Sequence, residues 1–237
     1  MRDESEANPY LTCLPTKAAM LTIFQHGKDE PLGEIGVYLK KKEVPHTIIH
    51  LFEQEDVPAV LPAKLIVLGG QMSVNDTGLY PFLNAEKQII RSMIDKGRPV
   101  LGICLGAQLI ASSFGQMVYP EVQEHGWFCV RGCGPGNRSL FPDSFPIFHW
   151  HNETFDLPEG AQLLAYGERV KNQAFRFGSA VGVQFHPEVT ASIISRWSQE
   201  MEDTLKAVVS AHTEKYLGSS NHMCHNLTQG FLRVWKP

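Results

Sequence analysis

The stretch Arg98-Pro99-Val100-Leu101-Gly102-Ile103-Cys104-Leu105-Gly106-Ala107-Gln108 passes from an apolar, strand-sized run straight into a helical one, with no polar turn between. A chain that turns from strand to helix in so few residues presses backbone against backbone, and glycine leaves the most room for that. Gly102 and Gly106 flank Cys104, so the thiol stands at the apex of the turn. Gly-x-Cys-x-Gly in this setting is the cysteine form of a nucleophile elbow. Such a turn exposes its side chain at the carboxyl end of a sheet, where open α/β sheets take ligands. It also sits at a helix N-terminus, where the dipole favours thiolate. A packed core cysteine beside two glycines would read the same, so the surroundings must decide.

Those surroundings alternate. AMLTIF (19–24), HTIIHLF (46–52) and KLIVLGG (64–70) read as strands, and RPVLGIC is the fourth. Between them, residues 32–42 and 84–97 carry apolar side chains at helical spacing, with Ile89, Ile90, Met93 and Ile94 forming one face and Gly97 a stop. Strands separated by helices imply βαβ units and a mostly parallel sheet covered on both faces. The second half changes to short strand-like pieces between turns. It ends in TASIISRWSQEMEDTLKAVV (190–209), an amphipathic helix with Ile193, Ile194, Trp197, Met201 and Leu205 on one stripe. Residues 1–18 read as a polar extension, and 19–237 as one domain.

With 237 residues and 43% hydrophobic content, a full core is affordable. The net charge of −4, without blocks of like charge, gives no nucleic-acid footprint. No apolar stretch reaches the ~20 residues of a membrane span, and the acidic start lacks the form of a signal peptide. A cytoplasmic protein is expected. Five scattered cysteines, an odd number, fit reduced thiols better than a disulfide framework.

A cysteine nucleophile needs a base, and the base an orienting group. GVQFHPE (182–188) offers His186 at a strand end and Glu188 two residues on, across Pro187. With the proline stiffening the turn, Glu188 can hold one ring nitrogen and leave the other for Cys104, a Cys-His-Glu triad. An acyl-transfer site also needs an oxyanion hole. The two glycines that end VLGG (67–70) let that backbone approach a ligand, so its N–H groups and that of Leu105 are the natural donors. His149 and His151 in HWH share a strand face as metal ligands would, but no third ligand stands at suitable spacing, and no metal is expected. GCGPGN (132–137) opens no helix and is no phosphate cradle. NHMCH (221–225) reads as a loop or helix end, and Trp127, Trp150 and Trp197 as core.

Together, GICLGAQ, GVQFHPE and LGGQMSVND resemble the class I, Triad-type glutamine amidotransferases, in particular the glutaminase part of GMP synthase. EHGW (124–127), HWHNETFDLPEGAQLLA (149–165) and NQAF (172–175) resemble its stand-alone branch. The resemblance implies a flavodoxin-like three-layer sandwich and a cofactor-free reaction in which cysteine attacks the glutamine side-chain amide, ammonia leaves, and a γ-glutamyl thioester is hydrolysed. By position it implies Cys104 as nucleophile, His186 as general base and acid, Glu188 as its partner, and Gly70 and Leu105 as oxyanion donors. Gln108 resembles the residue that holds the substrate glutamine, and Trp150-His151 the stretch whose backbone binds its α-groups. With no ATP-binding synthetase segment before Pro237, three readings stay open. The chain is a glutaminase serving a synthetase in trans, a stand-alone hydrolase of γ-glutamyl compounds, or a non-catalytic binding module. The intact triad disfavours the last, and Gln108 favours glutamine.

Overall fold

The computed structural model describes residues 21–53, 57–134 and 140–234. The extension expected at residues 1–18 lies outside them. Nine strands form one sheet in the order β2-β1-β3-β4-β9-β8-β7-β5-β6. β1 (Leu21–Gln25), β2 (His46–His50), β3 (Lys64–Val67), β4 (Val100–Ile103) and β9 (Ala180–Val183) are parallel neighbours. β8 (Ala174–Phe177), β7 (Gln162–Gly167), β5 (Val118–Gly132) and β6 (Phe145–Phe155) continue the sheet antiparallel.

The alternation of each parallel strand sorts its side chains between two helical layers. Leu21, Ile23, Ile66, Leu68, Leu101 and Ile103 face α1 (Gly33–Lys41) and α5 (Asp203–Val234). Phe24, Leu65, Val67 and Val100 face α2 (Phe82–Asp95) and α3 (Leu105–Ser113). This is the three-layer arrangement that the strand–helix alternation predicts.

The C-terminal helix departs from expectation. α4 (Ala191–Trp197), capped by the Thr190 hydroxyl, ends in a 3-10 turn at Ser198–Glu200, and Met201 is extended before α5 begins. The stripe through Ile193 and Ile194 therefore stops, and Leu205 is 51% exposed. NHMCH lies inside α5, not at a loop. Ser220, Met223, Cys224, Leu227, Thr228 and Phe231 are all buried, at the three-and-four spacing of a second apolar stripe.

The β4–α3 turn is as tight as its glycines imply. A Cβ on Gly102 would stand 2.5 Å from the Gly106 backbone, and one on Gly106 would run into the Val67 carbonyl. Neither obstacle is a side chain that can swing away. Gly102→Ala or Gly106→Ala is expected to cost about 1–3 kcal/mol or more by overpacking, read as a lowered urea midpoint at unchanged m-value.

Candidate active site

Cys104 is the residue between β4 and α3, with φ of 50° and ψ of −106°. Apart from Glu43 it is the only non-glycine with positive φ among the described residues. A side chain held there costs of order 1–3 kcal/mol, and surrounding contacts hold it. Its N–H donates to Val183 O on β9 at 2.8 Å, and its carbonyl accepts from Gln108 N–H at 3.1 Å.

His186 lies three residues beyond the end of β9, tied to β6 by its N–H donating to Phe148 O at 2.8 Å. Glu188 folds back as the proline turn predicts, with Oε1 2.7 Å from His186 Nδ1. Its own carbonyl accepts from Glu34 N–H at the start of α1 at 2.7 Å. The ring and Cys104 meet at Gly69, where an added Cβ would stand 2.9 Å from His186 Cε1 and 3.7 Å from Cys104 Cβ. Burial works against charge on this ring, but Glu188 and the cysteine together push its pKa up to about 10. The Trp197 ring closes one side at 4.9 Å, edge-on. Trp197 and Trp150 thus wall the site in addition to packing against the core.

Cys104, His186, Gly70, Gln108, Trp150 and His151 line one cavity of about 500 Å³. Leu105 begins α3 immediately after Cys104, so its N–H belongs to the unpaired first turn of that helix. The Cys104 thiol is 4.0 Å from the Trp150 carbonyl. Gln108 Nε2 donates to Glu153 O at 3.2 Å and to Gln184 Oε1 at 3.4 Å. Gln184 Nε2 in turn approaches the Cys104 sulfur at 3.6 Å. Gln184 was not singled out from sequence, although its place two residues before His186 in GVQFHPE was the available signal. Glu30, also unforeseen, is a buried acid at the cavity's edge whose pKa burial raises.

The expectation that no third ligand accompanies His149 and His151 is corrected by β5. Glu124 pairs in register with His151, after an irregularity between Pro120 and Glu124. Its Oε2 lies 3.2 Å from His149 Nδ1 and 3.1 Å from His151 Nε2, all buried. Gln173 Nε2 donates to the same oxygen at 2.9 Å. These donors are close enough to hold a metal ion. A ligating imidazole normally gives its other N–H to an acceptor, yet His149 Nε2 and His151 Nδ1 are buried without partners among the described residues. The arrangement suits a carboxylate accepting several hydrogen bonds. Burial opposes the Glu124 charge, but the hydrogen bonds from both histidines hold its carboxyl well below the usual range. Burial lowers His149 to about 4 despite Glu124.

The family model for glutamine amidotransferase class-I matches residues 26–196. The chain belongs to the class I glutamine amidotransferase family. Its members are enzymes with a cysteine nucleophile. It is 30% identical over 183 residues to the glutamine amidotransferase-like protein YfeJ of Salmonella typhimurium, covering 73% of this chain and 75% of that one. It is 31% identical over 150 residues to the glutamine-hydrolyzing GMP synthase of Mycobacterium marinum, covering 62% of this chain but 26% of that enzyme. A glutamine amidotransferase crystal structure from Thermotoga maritima superposes with a TM-score of 0.83 at 30% identity, over 91% of this chain and 99% of that one. One from Methylobacillus flagellatus shares the fold, with a TM-score of 0.85 at 22% identity.

The Glu124 cluster predicts acid sensitivity. His149 binds its proton near pH 4 when folded and near 6.5 when unfolded, so between these values the unfolded chain holds more protons and stability falls as pH falls. The depressed Glu124 carboxyl acts in the same direction. Wild type is expected to lose urea stability from pH 7 to 4.5, and His149→Gln to lose less over the same interval.

Proposed function

We propose that this amidotransferase hydrolyses the side-chain amide of glutamine through a γ-glutamyl thioester on Cys104, releasing glutamate and ammonia. The observation that carries this reading is the Cys104 thiol, held at positive φ and lining one cavity with Gly70, Gln108 and an imidazole fixed by Glu188 at 2.7 Å. The raised His186 pKa supports a protonated imidazole beside the sulfur, with Gln184 Nε2 as a donor to that sulfur.

Sulfur attacks the amide carbon, and the carbonyl oxygen takes negative charge opposite the N–H groups of Gly70 and Leu105. His186 then passes its proton to nitrogen, the C–N bond breaks, and ammonia departs. The now neutral ring takes a proton from water as it attacks the thioester. Glutamate leaves and the starting state of thiol and ring returns. Glu188 steadies the ring through both transfers. The GMP synthase likeness supports delivery of the ammonia to a synthetase in trans.

A second reading rests on one observation. A neighbouring cavity of about 1190 Å³ shares Glu30, Gln71 and Met72 with the catalytic one. That leaves space adjoining the catalytic cavity for an amine larger than ammonia, as in a γ-glutamyl peptide.

Purified protein is given glutamine, then γ-glutamyl dipeptides, and ammonia, glutamate and released amine are measured. Turnover of glutamine is the expected result, and activity on dipeptides alone would overturn it in favour of the second reading. Cys104→Ala should lower turnover by about 10⁴-fold or more and Glu188→Gln by roughly 10²- to 10⁴-fold, both folded. A diazo-ketone analogue of glutamine should label Cys104 before Cys129 or Cys224.

A further inference from the structure

His26 follows β1 at the carboxyl end of the sheet, and its side chain is wholly buried. Nδ1 lies 3.1 Å from the Gly69 carbonyl oxygen, and Nε2 lies 3.1 Å from both oxygens of Glu86, a buried acid on α2. A carbonyl oxygen only accepts hydrogen bonds, so Nδ1 carries a proton. Nε2 and Glu86 then share one further proton between them. Burial opposes charge on the His26 ring, but Glu86, the hydrogen bonds and Glu30 outweigh it and raise the pKa, which favours imidazolium.

The Gly69 carbonyl belongs to the same peptide unit as the Gly70 N–H. That unit is trans, so its N–H points opposite to its C=O. With the oxygen held toward His26, the Gly70 N–H turns the other way. Gly70 lines the cavity with Cys104, and a Cβ on Gly69 would stand 2.9 Å from His186 Cε1. Among the described residues the Gly70 N–H has no acceptor. A peptide between two glycines meets little steric resistance to reorientation. In the opposite orientation the Gly69 oxygen would face the developing oxyanion.

We infer that His26, anchored by Glu86, is a positioning residue that locks the Gly69–Gly70 peptide with its N–H toward the reaction centre. This rests on the proposed role of Gly70 as an oxyanion donor. His26 touches no reacting atom, and its effect falls on transition-state charge, so its loss should lower kcat and leave KM largely unchanged.

Two double variants separate orientation from folding. His26→Leu with Glu86→Leu removes the donor to Gly69 and both buried charges together, avoiding an orphaned carboxylate. His26→Asn with Glu86→Gln keeps an N–H donor near the position of Nδ1 without the charge. With whichever of glutamine or γ-glutamyl dipeptide the wild type turns over, the leucine pair is expected to lose about 10²-fold in kcat, the scale of one oxyanion donor. KM should stay within about threefold, and the amide pair should recover most of the loss. Equal loss in both variants, or unchanged kcat in a folded leucine pair, overturns the inference. A wild type without Cys104-dependent turnover would defeat the catalytic reading instead. In that event, ¹⁵N NMR of histidine-labelled protein, assigned against the leucine pair, still decides: a proton on His26 Nδ1 at neutral pH is expected, and a bare Nδ1 overturns the lock.

Discussion

The backbone of Cys104 is the constraint from which the site is built. Positive φ at a residue with a side chain persists only where neighbours over-determine it. Here Val183 holds the N–H, the first turn of α3 takes up the carbonyl, and Gly102 and Gly106 let helix and strand approach within contact of β3. The parallel half of the sheet thus fixes the thiol's direction. The buried face beneath it, with Leu101, Ile103 and Val183 packed against α1 and α5, makes that direction rigid.

The antiparallel half supplies the other wall. β5 and β6 form a long ribbon that reaches past the end of the parallel strands and brings Trp150 and its carbonyl over Cys104. The ribbon is fastened to the His186 loop by Phe148 O, which accepts the His186 N–H, and to α5 by Trp127, whose indole N–H donates to Thr213 at 3.0 Å. The 32-residue α5 is therefore not an appendage. It packs on the face of the sheet behind the elbow with its C-terminal half and braces the ribbon with its N-terminal half.

What was legible in the sequence was local. The strand–helix alternation, the elbow and the return of Glu188 onto His186 depend on residues a few positions apart, where periodicity and turn chemistry act directly. Glu124 was not legible because its meeting with His149 and His151 depends on strand register, displaced by the irregularity after Pro120. His26 and Glu86 are 60 positions apart and meet only because α2 packs beneath the end of β1. The break after Glu200 escaped because the apolar stripe runs through it. Leu205 had the right spacing, but extended Met201 turned the next helix onto a new axis.

The long-range contacts share one chemistry. Glu188 with His186, Glu86 with His26, and Glu124 with His149 and His151 are buried carboxylates on imidazoles. Burying each acid is costly, and such groups contribute little net stability over an apolar packing of similar shape. In each pair one imidazole lines the Cys104 cavity or the cavity beside it, and that placement has a different physical reason. A reaction that builds charge on a polar group needs dipoles that are already oriented when the charge develops. An imidazole has two donor positions across a rigid ring, so a carboxylate on one nitrogen fixes what the other presents: to the thiol from His186, and to the Gly69 carbonyl from His26. In the Glu124 cluster the direction is reversed. There the acid gathers two rings of one strand and holds Trp150 between them, setting the backbone instead of a proton. The stability given up in these pairs is exchanged for orientation, which the elbow alone cannot provide.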